Sequence, residues 1–238
     1  MAGNRRRRKK RLPEEPVEVE ITALSNEGRG IAHVDDRAVF IDQALKGERV
    51  LFKYTRLTSK IAEGRAIEVL KPSPLRVEPA CSAFEMCGGC SLQHMSSEAQ
   101  IELKRSMLLD QLAHNGVSPA EVIPPLLGPE YGYRHKARLG VRYVHKKEAV
   151  LVGFRERNSS LITETQRCEV LHPSVGGIIS EIADCINKME TKRSIPQIEV
   201  AVGDNQTVLV FRHLEALPEE DRVLLRDFSQ AHSLACYL

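Results

Sequence analysis

No apolar run in this 238-residue chain approaches the roughly 20 residues that span a bilayer. Its basic start is followed by "LPEEPVEVE" rather than by the apolar core of a signal peptide. Neither insertion nor export is indicated, and a cytoplasmic protein is expected. Tryptophan is absent and cysteine is scarce, with six residues in all. In a reducing compartment so few thiols argue against a disulfide framework, and where they cluster they point to metal ligation or catalysis. No internal repeat is visible, which leaves a repeat architecture without support. What is present is a 42% hydrophobic content, enough for one large or two modest domains with their own cores.

The formal net charge of +2 conceals an uneven distribution. Residues 5–11, "RRRRKKR", carry seven positive charges, so the rest of the chain has 27 Lys and Arg against 32 Asp and Glu. Like charges in a row repel and do not pack, so residues 1–12 are expected to be a disordered basic arm, of a kind that neutralises nucleic-acid phosphates.

From residue 13 to 72 the signals are all β. Val17, Val19 and Ile21 alternate with Glu18, Glu20 and Thr22, and "IAHV", "AVFI", "RVLFKYT" and "RAIEVL" follow as short strands between turn sequences. Five short strands in about sixty residues predict a small closed barrel of the oligonucleotide-binding kind. "KPSPLRVEP", with three prolines, reads as an extended linker ending at residue 80. Residues 81–238 then mix elements. A helix is expected over "SSEAQIELKRSMLLDQLAHNG", with Ser97 and Gln100 as a capping box, and a second over "VGGIISEIADCINKM". A hairpin is expected at "QIEVAVGDNQTVLVFRH", and a last helix over "PEEDRVLLRDFSQ". The fold class is α+β with antiparallel sheet.

Three of the six cysteines fall within "CSAFEMCGGC". Cys81, Cys87 and Cys90 make C-x5-C-x2-C, in which Gly88 and Gly89 permit the tight turn that brings two thiols to one centre and leave backbone amides free to point at sulfur. The best fourth ligand is Cys168, in the polar loop "TQRCEVLHP". Three grouped ligands and a remote one favour a [4Fe-4S] cluster over zinc, which more often uses two short pairs; a site without metal is the third alternative. The radical-enzyme spacing C-x3-C-x2-C is missing. His94 and His172 are weaker candidates for a ligand position. Cys185 and Cys236 lie in apolar runs and read as small buried hydrophobes.

"YGYRHKARLGVRYVHKK" sets Arg134, Lys136, Arg138 and Arg142 on even positions and Tyr133, Ala137, Leu139, Val141 and Tyr143 on odd ones. In a strand those sets face opposite ways. Residues 131–157 hold eight Lys and Arg against two acids, so this face is not self-neutralised and suits a polyanion.

Several segments are familiar together. "VEVEITALSNEGRGIAHVDDRAVFIDQALKGERV" resembles the TRAM domain, an RNA-binding barrel. "CSAFEMCGGCSLQHM", "YGYRHKARL", "VGFRERNSSLI" and "CEVLHP" resemble, in that order, the central region of bacterial 23S ribosomal RNA uracil-C5 methyltransferases, in the TRAM-bearing branch that acts on uracil-1939. The resemblance implies Cys81, Cys87, Cys90 and Cys168 as ligands of a [4Fe-4S] cluster. It also implies 23S ribosomal RNA as partner, S-adenosyl-L-methionine as cofactor of the full-length enzyme, and action as a monomer away from membranes. Arg29, Arg134, Lys136, Arg138 and Arg142 become candidate RNA contacts. "CEVL" departs from the commoner Cys-Pro-Ile. The family's Rossmann-like methyltransferase domain, with its methyl-donor loop and Cys-Asn-Pro nucleophile, is not found in the sequence. The expectation is therefore the RNA-recognition half of such an enzyme, ending within its central domain, with no catalytic residue and no activity alone. A stand-alone RNA-binding module and a zinc-stabilised nucleic-acid-binding protein are the competing readings.

Overall fold

The computed structural model describes residues 12–238; the basic arm expected over residues 1–12 lies outside the described residues apart from Leu12. The chain divides into two compact units, one made of residues up to 78 together with 91–122, the other of 79–90 together with 123–238.

The first unit is built on β1 (Val17–Glu20), β2 (Ala23–Leu24), β3 (Gly30–Val34), β4 (Arg37–Asp42), β5 (Arg49–Leu57) and β6 (Ala62–Lys71). Alternation drives it: Val19, Ile21, Ala32, Val39, Ile41, Val50 and Phe52 point inward and form one core, while their neighbours face water. Asp35 and Asp36 both take positive φ in the two-residue turn between β3 and β4, the geometry that matches strand twist. The sheet runs β1-β5-β6-β4-β3-β2, with β4 and β6 parallel. The expected closed barrel is not formed: among the described residues the ladder ends at β1 and β2, which do not pair. Those strands are consecutive, separated by Ile21 and Thr22, whose amides turn to Glu48 O and Ile31 O. A chain that changes partners within two residues cannot also lay its two arms side by side.

Glu48, 0% exposed, pins the following segment to this sheet. Its carboxylate accepts from Leu45 N (2.8 Å), Ser73 N (3.1 Å) and Arg76 Nε (2.6 Å) and Nη2 (2.8 Å). Val77 N then donates to His94 O and Ser96 N to Leu75 O, so residues 75–77 run beside 94–96. Helix α1 (Ser97–His114) follows. Its cap is Ser96, not Ser97: Ser96 Oγ accepts from Ala99 N (3.4 Å), and Gln100 Nε2 reaches back to Leu92 O and Met95 O instead of closing a capping box.

The second unit carries β7 (Lys136–Val144), β8 (Ala149–Gly153), β9 (Gln197–Val202), β10 (Thr207–Arg212) and β11 (Ala235–Tyr237), in the order β11-β10-β9-β7-β8. Helices α2 (Pro173–Gly176), α3 (Ile179–Lys188) and α4 (Glu219–Ala231) complete it. Ile179, Ile182 and Ile186 of α3 and Leu225 and Phe228 of α4 join Leu139, Val141, Ile198, Val200, Leu209 and Phe211 in one core. The hairpin around "GDNQ" and the last helix form as the pattern predicts. The sheet is mixed, however, not antiparallel, because α4 carries the chain back so that β11 enters parallel to β10. The second expected helix is broken at Gly176 and Gly177, where Gly176 O accepts from Cys168 N (2.8 Å).

Candidate metal centre and cationic sheet face

Cys81, Cys87, Cys90 and Cys168 are all half-buried in the second unit, and none is in a disulfide. Burial pushes the Cys81 thiol up, and Cys168, Cys87 and Cys90 add to the rise. Burial likewise raises Cys168, with Cys90 and Cys87 contributing. The remote cysteine is thus brought within electrostatic reach of the clustered three. Among the described residues, no three or more His, Cys, Asp or Glu side chains are gathered as the ligands of one metal ion.

Backbone amides are aimed at the sulfurs. Gly89 N donates to Cys87 Sγ at 3.4 Å. The Ala83 amide works against the rise at Cys81, as those of Leu171 and Val170 do at Cys168. Each such bond favours thiolate over thiol, the form in which sulfur binds metal. Four thiols, three of them served by amides, are a donor set that fits thiolate ligation of zinc or of an iron–sulfur cluster.

The segment after β8 makes the wall. Gly88 N donates to Arg155 O (2.9 Å), Arg157 N to Met86 O (2.9 Å), and Cys87 bridges Glu156. A Cβ on Gly88 would stand 3.0 Å from Arg155 O, and one on Gly89 3.3 Å from the Phe154 ring, so a side chain at either position would crowd the wall, which would have to give by a few tenths of an ångström. The remote loop is tied in by the residues leading into β7: Gly132 N donates to Glu169 O, Arg134 N to Val170 O, and His172 N to Arg134 O. His172 caps α2, with Nδ1 on Ser174 N and Oγ. His94 is buried in the first unit, and the cysteines lie in the second.

The cations expected on one face are placed differently from one another. Lys136, Arg138 and Arg142 lie on β7 and are exposed. Arg138 sits opposite Glu199 of β9, 3.7 Å from its carboxylate. Arg134 precedes the strand; its Nη2 donates to Gly89 O (3.3 Å), and its guanidinium lies over Phe154, 5.4 Å from the centroid. In the first unit Arg29 pairs with Glu63 (3.0 Å) and lies over Phe40. Cys185 and Cys236 are packed in or against the core, where burial pushes their thiols to about 11 and about 12. Sequence reasoning gave no role to Arg157 or Phe84, which stack at 5.3 Å beside the cysteine loop. Their signal in the sequence was only proximity to motifs already noted.

A family model described as "TRAM domain" matches residues 10–67. The 23S rRNA (uracil(1939)-C(5))-methyltransferase RlmD of Nitrosococcus oceani is 53% identical over 97% of this chain, and that of Alkalilimnicola ehrlichii is 49% identical over 97%. The chain covers 52% of each, so it spans about half the length of the curated relatives it matches. Among solved structures, the Pyrococcus abyssi tRNA (uracil-54, C5)-methyltransferase in complex with S-adenosyl-L-homocysteine aligns over 87% of this chain and 48% of its own, with TM-score 0.62 and 20% identity, a likeness of fold. Over nearly all of its length, the chain is a homologue of the RlmD methyltransferases.

Proposed function

We propose that this chain is the RNA-recognition portion of an S-adenosylmethionine-dependent 23S rRNA uracil-C5 methyltransferase, with Cys81, Cys87, Cys90 and Cys168 as ligands of a [4Fe-4S] cluster. The observation that carries the reading is 53% identity, over 97% of the chain, to an enzyme of that name. The rise of the Cys81 and Cys168 thiols, to which the other cysteines contribute, and an exposed row of cations agree with it.

Uracil C5 becomes nucleophilic only once a thiolate has added at C6, and the target base must leave its RNA fold to be reached. The residues of this chain serve the second requirement. Lys136, Arg138 and Arg142 neutralise phosphates, and the exposed rings of Tyr131 and Tyr133 offer faces on which extruded bases stack. A cluster held by four thiolates has no open iron, so what it supplies is a cross-link between the 81–90 loop and Cys168. No step of methyl transfer is assigned to these residues.

The test is binding of a 23S rRNA fragment across a salt series. Replacing Lys136, Arg138 and Arg142 together by alanine is expected to weaken binding and flatten the plot of log affinity against log salt by about 2, at roughly 0.7 per lost single-strand phosphate contact. An unchanged slope contradicts the assignment of this face to RNA.

A further inference from the structure

Two peptide planes flank the Cα of Cys90: the Gly89–Cys90 plane, which carries Gly89 O, and the Cys90–Ser91 plane, which carries Cys90 O. Each of those carbonyls is held by a different guanidinium. Arg134 Nη2 donates to Gly89 O at 3.3 Å, and Arg157 Nη2 donates to Cys90 O. Peptide units are rigid, so fixing the plane on either side of a Cα fixes its two soft dihedrals and with them the direction of the Cα–Cβ bond, from which Sγ hangs by a single rotor with three staggered positions. The two arginines are themselves fixed. Arg134 lies over Phe154 at 5.4 Å and Arg157 over Phe84 at 5.3 Å, and Phe84 is buried. Their backbones are anchored as well, Arg157 N to Met86 O at 2.9 Å, and Arg134 to the loop beyond Cys168 through Val170 O (2.8 Å) and His172 N (3.0 Å).

Arg134 therefore touches both halves of the cysteine site. Its main chain pairs with the residues that follow the remote thiol, and its side chain reaches the loop that holds the clustered ones. We infer that Arg134 and Arg157 are positioning residues for the metal centre: together they hold the backbone at Cys90 and so the direction in which it carries its side chain, and Arg134 fixes the Cys168 loop against it. The inference rests on the reading of the four cysteines as cluster ligands. Two cations on the loop carbonyls also favour the more negative, reduced state of a thiolate-bound cluster, so they raise its reduction potential.

The test uses anaerobically purified chain with Arg134→Met and Arg157→Met, which keep bulk and lose the donors, and with Arg157→Lys, which keeps the charge. Each Met variant is expected to release iron to a chelator about tenfold faster than the parent, the lower end of what lost outer partners cost a metal site. The reduction potential moves to lower values in both, and Arg157→Lys recovers part of each change. The iron-free forms should show faster amide hydrogen exchange over residues 87–90 at unchanged thermal midpoint. Parental release rate and potential in both Met variants overturn the inference. If the parent chain holds no iron and sulfide, the cluster reading falls; the clamp is then judged on exchange in the metal-free chain, and unaltered exchange over residues 87–90 in both variants overturns it.

Discussion

Glu48 shows how one buried carboxylate decides a local structure. Burial by itself would raise its pKa, but the Arg76 guanidinium and the Leu45 and Ser73 amides hold it below the usual 4.5. A carboxyl depressed in the folded state stabilises above its unfolded pKa, and that stabilisation drains away as pH falls through the folded value. Glu48→Gln is expected to cost roughly 3 kcal/mol at pH 7, the low end for breaking a buried pair because Arg76 keeps some water. Urea titrations at pH 7 and below 4.5 check this: the difference between parent and variant shrinks on acidification, and a constant difference contradicts the assignment. Cys185 and Cys236 make the opposite point. With thiols pushed to about 11 and about 12 by burial, they should resist iodoacetamide at pH 8 in the folded metal-free chain, while Cys81, Cys87, Cys90 and Cys168 react. Mass spectrometry showing labelled Cys185 or Cys236 before unfolding would contradict their placement.

Elements were legible where their cause is local. Val17–Glu20 alternates, "GDNQ" turns, and the final helix carries Glu219, Glu220 and Asp221 in its first turn, where the helix dipole favours acids. They were illegible where the cause is a distant partner. β2 has two residues and exists only because β3 accepts them; the break at Gly176 and Gly177 follows from the hydrogen bond to Cys168. Arg134 was assigned to a cationic row because its parity matched, but the strand starts at Lys136, and before a strand begins parity says nothing about direction. Two substitutions probe elements directly. Ser96→Ala should remove the cap of α1 and cost about 1 kcal/mol, seen as a lowered urea midpoint; no change would return the cap to a neighbour. Gly88→Ala places a methyl 3.0 Å from Arg155 O, so the loop or the wall must shift, with an expected loss of about 1–3 kcal/mol and weaker metal retention. A variant as stable and as well loaded as the parent would show that the wall yields freely.

At the scale of the whole molecule, the relationship to the uracil-C5 methyltransferases was legible in several short motifs taken in order, whereas barrel closure and sheet direction were not, because both depend on pairings between strands distant in the chain. What spacing could not supply was how the loop that carries Cys168 is held, which depends on residues 132–134 lying against 169–172. On the function proposed above, the chain is a scaffold that presents cations to RNA, with the four thiols as its cross-link. The most direct test is iron, sulfide and zinc determination, with an absorbance spectrum, on anaerobically purified parent chain and Cys168→Ser. About four irons and four sulfides per chain, with the broad visible absorbance of a cluster and both lost in the variant, is the result predicted here. Zinc in place of iron, or iron retained without Cys168, would contradict it.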